Sequence, residues 1–302
     1  MHAYGFAGVG VSLLGDVSNE PLDAVLTLQR ADTRVVYEAS GVVVRVDGQL
    51  AHKVLSGKRH ARAARGCEMH ALAYAVAPKH VAPLLGVRER TDSITLIMRY
   101  GEPVNFAEMS VDAWMRASMQ LLEGLELLHA HNIVHRDIKP GNLLLVDGRL
   151  CLTDFDASML LLPSHSKHVP TASVAVNVAR QGGGTCGYYA PEIDVHDRDA
   201  LHRFTFADDV YAAGVTIGHG NPNCYLIRNA DMQGVYEDMQ LELAAFRPSA
   251  REALVRVRAA LTSLRAATKA AKVTGAVPMR GVRQKVAAAG AIGDENAVAN
   301  VR

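Results

Sequence analysis

Cysteine is scarce in this sequence, and no two cysteines lie close together. The four of them, Cys67, Cys151, Cys186 and Cys224, form no CxxC pair. That spacing excludes a disulfide framework and the common zinc modules, and it fits reduced thiols in an intracellular compartment. Long hydrophobic runs are also missing, since nothing approaches the roughly 18–20 apolar residues of a membrane helix. Neither sign of charge is in excess: 32 Lys and Arg face 31 Asp and Glu. Nothing in that balance points to nucleic acid or to an anionic membrane. The opening stretch MHAYGFAGVGVSLLG is apolar but lacks the Lys or Arg that heads a secretory signal. No internal repeat is visible.

What remains reads as a globular protein of the cytoplasm or nucleus. Of its 302 residues 49% are apolar and 21% charged, enough for one large domain or two lobes with cores of their own. Residues 1–32 form an extension without clear periodicity. The runs RVVYEAS, GVVVRV and LAHKVL then predict three antiparallel strands, with Asp47-Gly48 as a hairpin turn. The Ala-rich, proline-free stretch 57–76 predicts a helix, and APLLGV and SITLIMRY predict two more strands.

From Ser110 the pattern turns helical, with Trp114, Leu121, Leu125 and Leu128 recurring up to His131. LLLVDGRLCLTDF reads as a hairpin around Asp147-Gly148, residues 158–183 as a long loop, and ADDVYAAGVTIG as a buried helix. Leu254, Val257, Leu261 and Leu264 mark a last amphipathic helix, and 266–302 reads as a disordered, Ala- and Gly-rich basic tail. The fold class is therefore α+β: a small antiparallel β-rich lobe with one helix (33–101), then a larger, mainly helical lobe (102–265).

The junction between them carries the densest chemistry. IVHRDIKPGNLLL packs His135, Arg136, Asp137, Lys139 and Asn142 between two apolar runs. Burying such groups unpaired costs about 1–3 kcal/mol each, and more for a charge. The stretch needs either a solvated turn or a chemical task. HRDIKPGN resembles the catalytic loop of the eukaryotic-type protein kinases of the Ser/Thr class. An ordered set of further motifs carries the same resemblance over about residues 33–265: TDFD with Asp154, GTCGYYAPE with Thr185 and Glu192, DDVYAAGV with Asp209, RPSAREAL with Arg247, and LAHKVL with Lys53.

The resemblance implies a bilobal kinase fold that transfers the γ-phosphoryl group of ATP, with Mg2+, to a Ser or Thr of a protein substrate. Asp137 would act as catalytic base, and Lys139 would set a cation over the transferring group. Asn142 and Asp154 would hold the metal, and Lys53 would reach the α- and β-phosphates with Glu68 as its ion-pair partner. Gly41, Val43, Ala51 and Leu144 would enclose the nucleotide, with Met98 before the hinge residues Arg99, Tyr100 and Gly101. His135, Phe155, Leu72 and Leu84 would stack through the core. Asp209 would anchor the catalytic loop, and Arg247 would pair with Glu192.

Three departures accompany this resemblance. The family's GxGxxGxV loop keeps only Gly41 and Val43, with Val36 and Glu38 at the first two glycine positions. Glycines there let backbone N–H groups close on phosphates, and Glu38 would set a carboxylate by the triphosphate. Asp156 stands where the family has glycine after the Phe, and the chain between Glu192 and Arg247 is shorter than usual. These features define an alternative: a pseudokinase that binds or scaffolds without turnover. A small-molecule kinase of the aminoglycoside type is opposed by Lys139 and by the APE and RPS segments, and Lys139 likewise opposes tyrosine specificity.

His129 and His131 are expected at a helix end rather than in a metal site. Lys58, Arg62 and Arg65 read as a solvated face. The sharper expectation is that, with Arg136, they receive a phosphate from Ser158, Ser164, Ser166, Thr171 or Ser173.

Overall fold

Short turns between β-branched runs set the first layer. The computed structural model describes residues 34–57, 60–161, 178–180, 184–193, 201–220 and 230–274. The N-terminal extension, Lys58, the acceptors Ser164, Ser166, Thr171 and Ser173, and the tail beyond residue 274 lie outside them. The chain divides into two units, Met1–Ser263 and Leu264–Arg302, and both lobes belong to the first.

Strands β1 (Arg34–Ala39), β2 (Val42–Asp47) and β3 (Leu50–Ser56) form the expected meander. Helix α1 (His60–Val76) follows, then β4 (Leu84–Glu89) and β5 (Ser93–Arg99). Strand β5 pairs with β3, giving one sheet of order β1-β2-β3-β5-β4. Asp47 pairs with Leu50, so the tight turn is Gly48–Gln49, one residue later than the Asp-Gly signal places it.

Alternation along β3 buries Ala51, Lys53 and Leu55 on one face, opposite Val46, Val44 and Val42 of β2. Below that face Val42, Leu55, Leu84, Ile94, Leu96 and Met98 meet Ala63 and Cys67 of α1. The buried stripe of α1 is Ala63, Cys67, His70 and Ala73. At about 100° per residue, Glu68 falls on the opposite side and is exposed.

The chain crosses to the second lobe at Gly101, where a Cβ would lie 2.8 Å from both Leu144 Cβ and Val146 Cγ2. Beyond it come β6 (Glu102–Pro103) and α2 (Val111–Ala130), which starts on Ser110, whose Oγ accepts from the Ala113 N–H at 3.3 Å. Buried Trp114, Leu121, Leu125 and Leu128 form the inner stripe of α2. Then follow β7 (Ile133–Val134), β8 (Leu143–Val146), β9 (Arg149–Leu152) and β10 (Met159–Leu160). Asp147 and Gly148 both have positive φ, 49° and 76°, the geometry that the Asp-Gly signal predicts for the β8–β9 hairpin.

Strands β11 (Val178–Arg180) and β12 (Leu201–Arg203) pair antiparallel. Helices α3 (Phe206–Gly220), α4 (Ala230–Met239) and α5 (Ala250–Thr274) complete the lobe. Trp114 donates its indole N–H to the Ile217 carbonyl at 3.1 Å, fastening α2 to α3. Helix α5 continues to Thr274, past Ala266 where the tail was expected to begin. The run AATKAAK is rich in strong helix formers, which carries the helix on.

Candidate active site

The residues of the junction motif are drawn together by backbone fastening. Asp209, buried near the start of α3, accepts the N–H groups of His135 and Arg136, each at 2.8 Å, and faces His129 Nε2 at 3.1 Å. Burial alone would raise its pKa, but the hydrogen bond and charge of His129 hold the carboxyl below the usual range. His129 thus has a task beyond the helix end: it braces Asp209 and stacks on Phe206, with ring centroids 4.7 Å apart. Among the described residues no cluster of His, Cys, Asp and Glu is arranged to hold a metal.

Asp137 is held from three sides. Its Oδ1 accepts from Thr185 Oγ1 at 2.7 Å, and its Oδ2 accepts from Lys139 Nζ at 2.9 Å and Asn142 Nδ2 at 2.8 Å. Lys139 also donates to Thr185 Oγ1 at 2.6 Å. Asn142 donates again to the Asp137 carbonyl at 2.8 Å and accepts the Thr153 N–H on its own carbonyl at 3.0 Å. The residue before Asp154 is thereby tied to the junction motif. Asp154 itself has φ 65° and Arg136 φ 70°. Such left-handed backbone costs about 1–3 kcal/mol outside glycine and persists where the surroundings over-determine it.

Lys53, 9% exposed, donates to Asp154 Oδ1 at 2.7 Å and Asp156 Oδ2 at 3.1 Å. Burial would lower its pKa, and the two carboxylates override that and raise it. Asp154 is pulled down to about 2: burial opposes the shift, and the charge and hydrogen bond of Lys53 overcome it. Asp156 is raised, by burial first and then by the charge of Asp154.

Several expected placements are corrected. Glu68 does not reach Lys53, because the phase of α1 turns it to solvent. Val43 pairs with Val54 and so points away from Lys53; Val44, directly opposite Lys53, takes its place on the inner face. A bulge at Val36 likewise pairs Glu38 with Val43, turning its carboxylate away from the cleft, while Tyr37 shares the face of Val44. Asp156 lies outside the positive-φ residues, so its backbone does not require glycine.

Ala51 and Met98 are cross-strand partners, and Leu144 packs against the bare backbone of Gly101. Gly41, φ 75°, closes a two-residue turn between Ala39 and Val42. Arg99 reaches Asp147 at 3.4 Å.

The aromatic column passes from His135 to Phe155, centroids 4.7 Å apart, and on to His70 at 5.1 Å; Leu72 does not take that place. His135 Nδ1 accepts the Asp137 N–H at 3.3 Å, so Nε2 carries the proton that bonds the Thr153 carbonyl at 3.1 Å. Ser158 is buried and donates to the His135 carbonyl at 3.1 Å, which withdraws it from the set of presented phosphate acceptors. Arg136 stacks 3.8 Å over the Phe204 ring and donates to the Ala157 carbonyl. Its pKa falls to about 10, chiefly by burial and then by the charge of Arg65.

Burial also pushes the His70 imidazole down to about 4 from 6.5, against the pull of its bond to the Ala82 carbonyl. Between those values the unfolded chain binds the extra proton, so the stability lost as pH falls through that window is about 3 kcal/mol. His70→Gln is expected to flatten the acid limb of stability, read from urea melts at pH 7 and pH 4.5. An unchanged slope would remove His70 as its source.

A family profile described as protein kinase domain matches residues 41–247. The chain is 32% identical over 190 residues to the rat phosphorylase b kinase gamma catalytic chain, liver/testis isoform, covering 56% of this chain and 43% of that one. It is 33% identical over 122 residues to human serine/threonine-protein kinase STK11, covering 40% and 25%. With serine/threonine-protein kinase PKH3 of Saccharomyces cerevisiae it is 34% identical over 114 residues, covering 35% and 12%. The chain thus spans less than half the length of each of these relatives. The matched stretch runs from the glycine of the first hairpin to the arginine bonded to Glu192, enclosing Lys53, Asp137, Asn142 and Asp154, and the chain belongs to the protein kinase domain family.

Proposed function

We propose that this protein is a serine/threonine kinase that transfers the γ-phosphoryl group of ATP to a hydroxyl of a protein substrate. One observation carries the reading: the Asp137 carboxylate is fixed by Lys139, Thr185 and Asn142 at 2.7–2.9 Å. In this role Asp137 orients the substrate hydroxyl and takes its proton on a carboxylate oxygen. Lys139 sets a positive charge beside that oxygen, where charge on the transferring group is neutralised. Lys53 binds the nucleotide phosphates, while Ala51, Val44, Met98 and Leu144 offer an apolar enclosure for the base.

The donor set fits a magnesium ion. Asn142 spends its amide nitrogen on Asp137, which leaves its amide oxygen, and Asp154 adds a carboxylate held ionised by Lys53. These are the hard oxygen ligands that Mg2+ prefers. Asn142 and Asp154 would hold the ion, and the chemistry it would supply there is neutralisation of phosphate charge.

The test is transfer of labelled phosphate from ATP to a generic basic substrate and to the chain itself, with Mg2+ and with chelator. Incorporation on Ser or Thr that requires Mg2+ is expected. A nucleotide-binding module without turnover is the second reading, favoured by the tight Ser40–Gly41 turn that replaces an open glycine loop. It would appear as an ATP-induced rise in Tm with no incorporation.

A further inference from the structure

Helix α1 leaves Lys53 without an acidic partner of its own. Both carboxylates on the ammonium, Asp154 and Asp156, come from the segment after β9. Space for the second is provided by α1. A Cβ on Gly66 would fall 2.4 Å from Asp156 Oδ1 and 3.2 Å from its Cα. A contact of 2.4 Å is not made by real side chains and 3.2 Å is tight, so any side chain at position 66 would have to displace the Asp156 carboxylate from the seat that the bare helix backbone gives it. Gly66 lies on the buried side of α1, next to Cys67 of the inner stripe, whereas Glu68 is turned outward. The helix phase that removes Glu68 from Lys53 is the same phase that admits Asp156.

We infer that Asp156, seated against Gly66, is the positioning residue for Lys53 in this chain, in the role that the resemblance assigned to Glu68. The inference rests on the reading of Lys53 as the phosphate-binding lysine of a kinase. It makes the residue after Phe155 a working carboxylate rather than a degenerate glycine. It also makes Gly66 and Asp156 an interdependent pair, each tolerable to the fold because of the other.

A double-mutant cycle on the full chain tests this, with Gly66→Ala, Asp156→Gly, the double variant and Glu68→Gln. The readouts are Tm without nucleotide, ATP affinity by calorimetry, and kcat and KM for ATP. Asp156→Gly is expected to raise KM for ATP about tenfold with a much smaller change in kcat. Gly66→Ala is expected to weaken ATP binding by about as much and to lower Tm, because the new methyl evicts the carboxylate. The double variant is expected to be little worse than Asp156→Gly alone, since the methyl then meets only the residue-156 Cα, at 3.2 Å, and no carboxylate. If Gly66→Ala fails to fold, rescue by Asp156→Gly is the same result in a stronger form.

Glu68→Gln is expected to change ATP affinity less than about twofold. A tenfold loss of affinity from Glu68→Gln, or full additivity in the double variant, would overturn the inference. A wild-type chain that transfers no phosphate would overturn the kinase reading alone, because Tm and ATP affinity still decide the pairing of Gly66, Asp156 and Lys53.

Discussion

Asp137→Asn is expected to lower phosphate transfer by about a thousandfold, or about 4 kcal/mol of transition-state stabilisation, while ATP still binds. The carboxylate accepts from Thr185, Lys139 and Asn142 at once. An asparagine there keeps one acceptor oxygen and puts an NH2 group against donors. The variant therefore loses the proton acceptor and also loosens the three groups around it. Lys53 and Asp154 lie outside this triangle, bonded to each other at 2.7 Å, so the nucleotide contacts proposed for them are left intact. Single-turnover transfer of labelled phosphate gives the first quantity, and the ATP-induced shift in Tm the second. A loss under tenfold would remove Asp137 from the chemistry; loss of the ATP shift would mean that the substitution had disordered the whole cleft.

Arg247→Ala is expected to destabilise the larger lobe by about 3 kcal/mol, the low end of the range for removing one partner of a buried ion pair, because Arg247 is buried while Glu192 is partly exposed. The Arg247 side chain is 0% exposed and meets both Glu192 oxygens at 2.7 Å. It also donates to the carbonyls of Leu241, Glu242 and Ala207, and it lies 4.9 Å from the centre of the Tyr211 ring. Truncation would strand those carbonyls along with Glu192, whose pKa the arginine holds down against the opposing effect of burial. Tm should fall on the order of 10 °C. Arg247→Lys should recover little, because an ammonium cannot meet both carboxylate oxygens and three carbonyls in the planar fork that a guanidinium provides. A melting point within a degree or two of wild type would show that the pair contributes no net stability.

Chemistry tied to short spacing is legible in this sequence, and placement that depends on strand or helix phase is less so. Asp137, Asn142, Asp154, Glu192 and Arg247 stand in motifs whose internal distances are set by a few bonds, and the structure bonds Asn142 to Asp137 and Arg247 to Glu192. Val43 stands on the outer face because a two-residue turn, whether at Asp47–Gly48 or at Gly48–Gln49, pairs it with an even-numbered residue of β3 and so sets it away from Lys53. The bulge at Val36 shifts β1 by one residue, and that odd shift exchanges the faces of Glu38 and Tyr37. Glu68 was misassigned through helix phase. There a signal was present, since Ala63, Cys67, His70 and Ala73 already mark an inner stripe that excludes positions 68 and 72. His129 offered no such signal, because its partner Asp209 is distant in sequence and meets it only across the packed helices α2 and α3.

The crossing at Gly101 has a mechanical consequence. With no side chain between the strand that enters it and the Leu144–Val146 strand beneath, backbone rests directly on side chains at van der Waals range. The joint is therefore of minimal thickness, with no intervening group to set the spacing of chain and strand. A single methyl at that point would act as a shim: it would prop the two a fixed distance apart, even with every other residue unchanged.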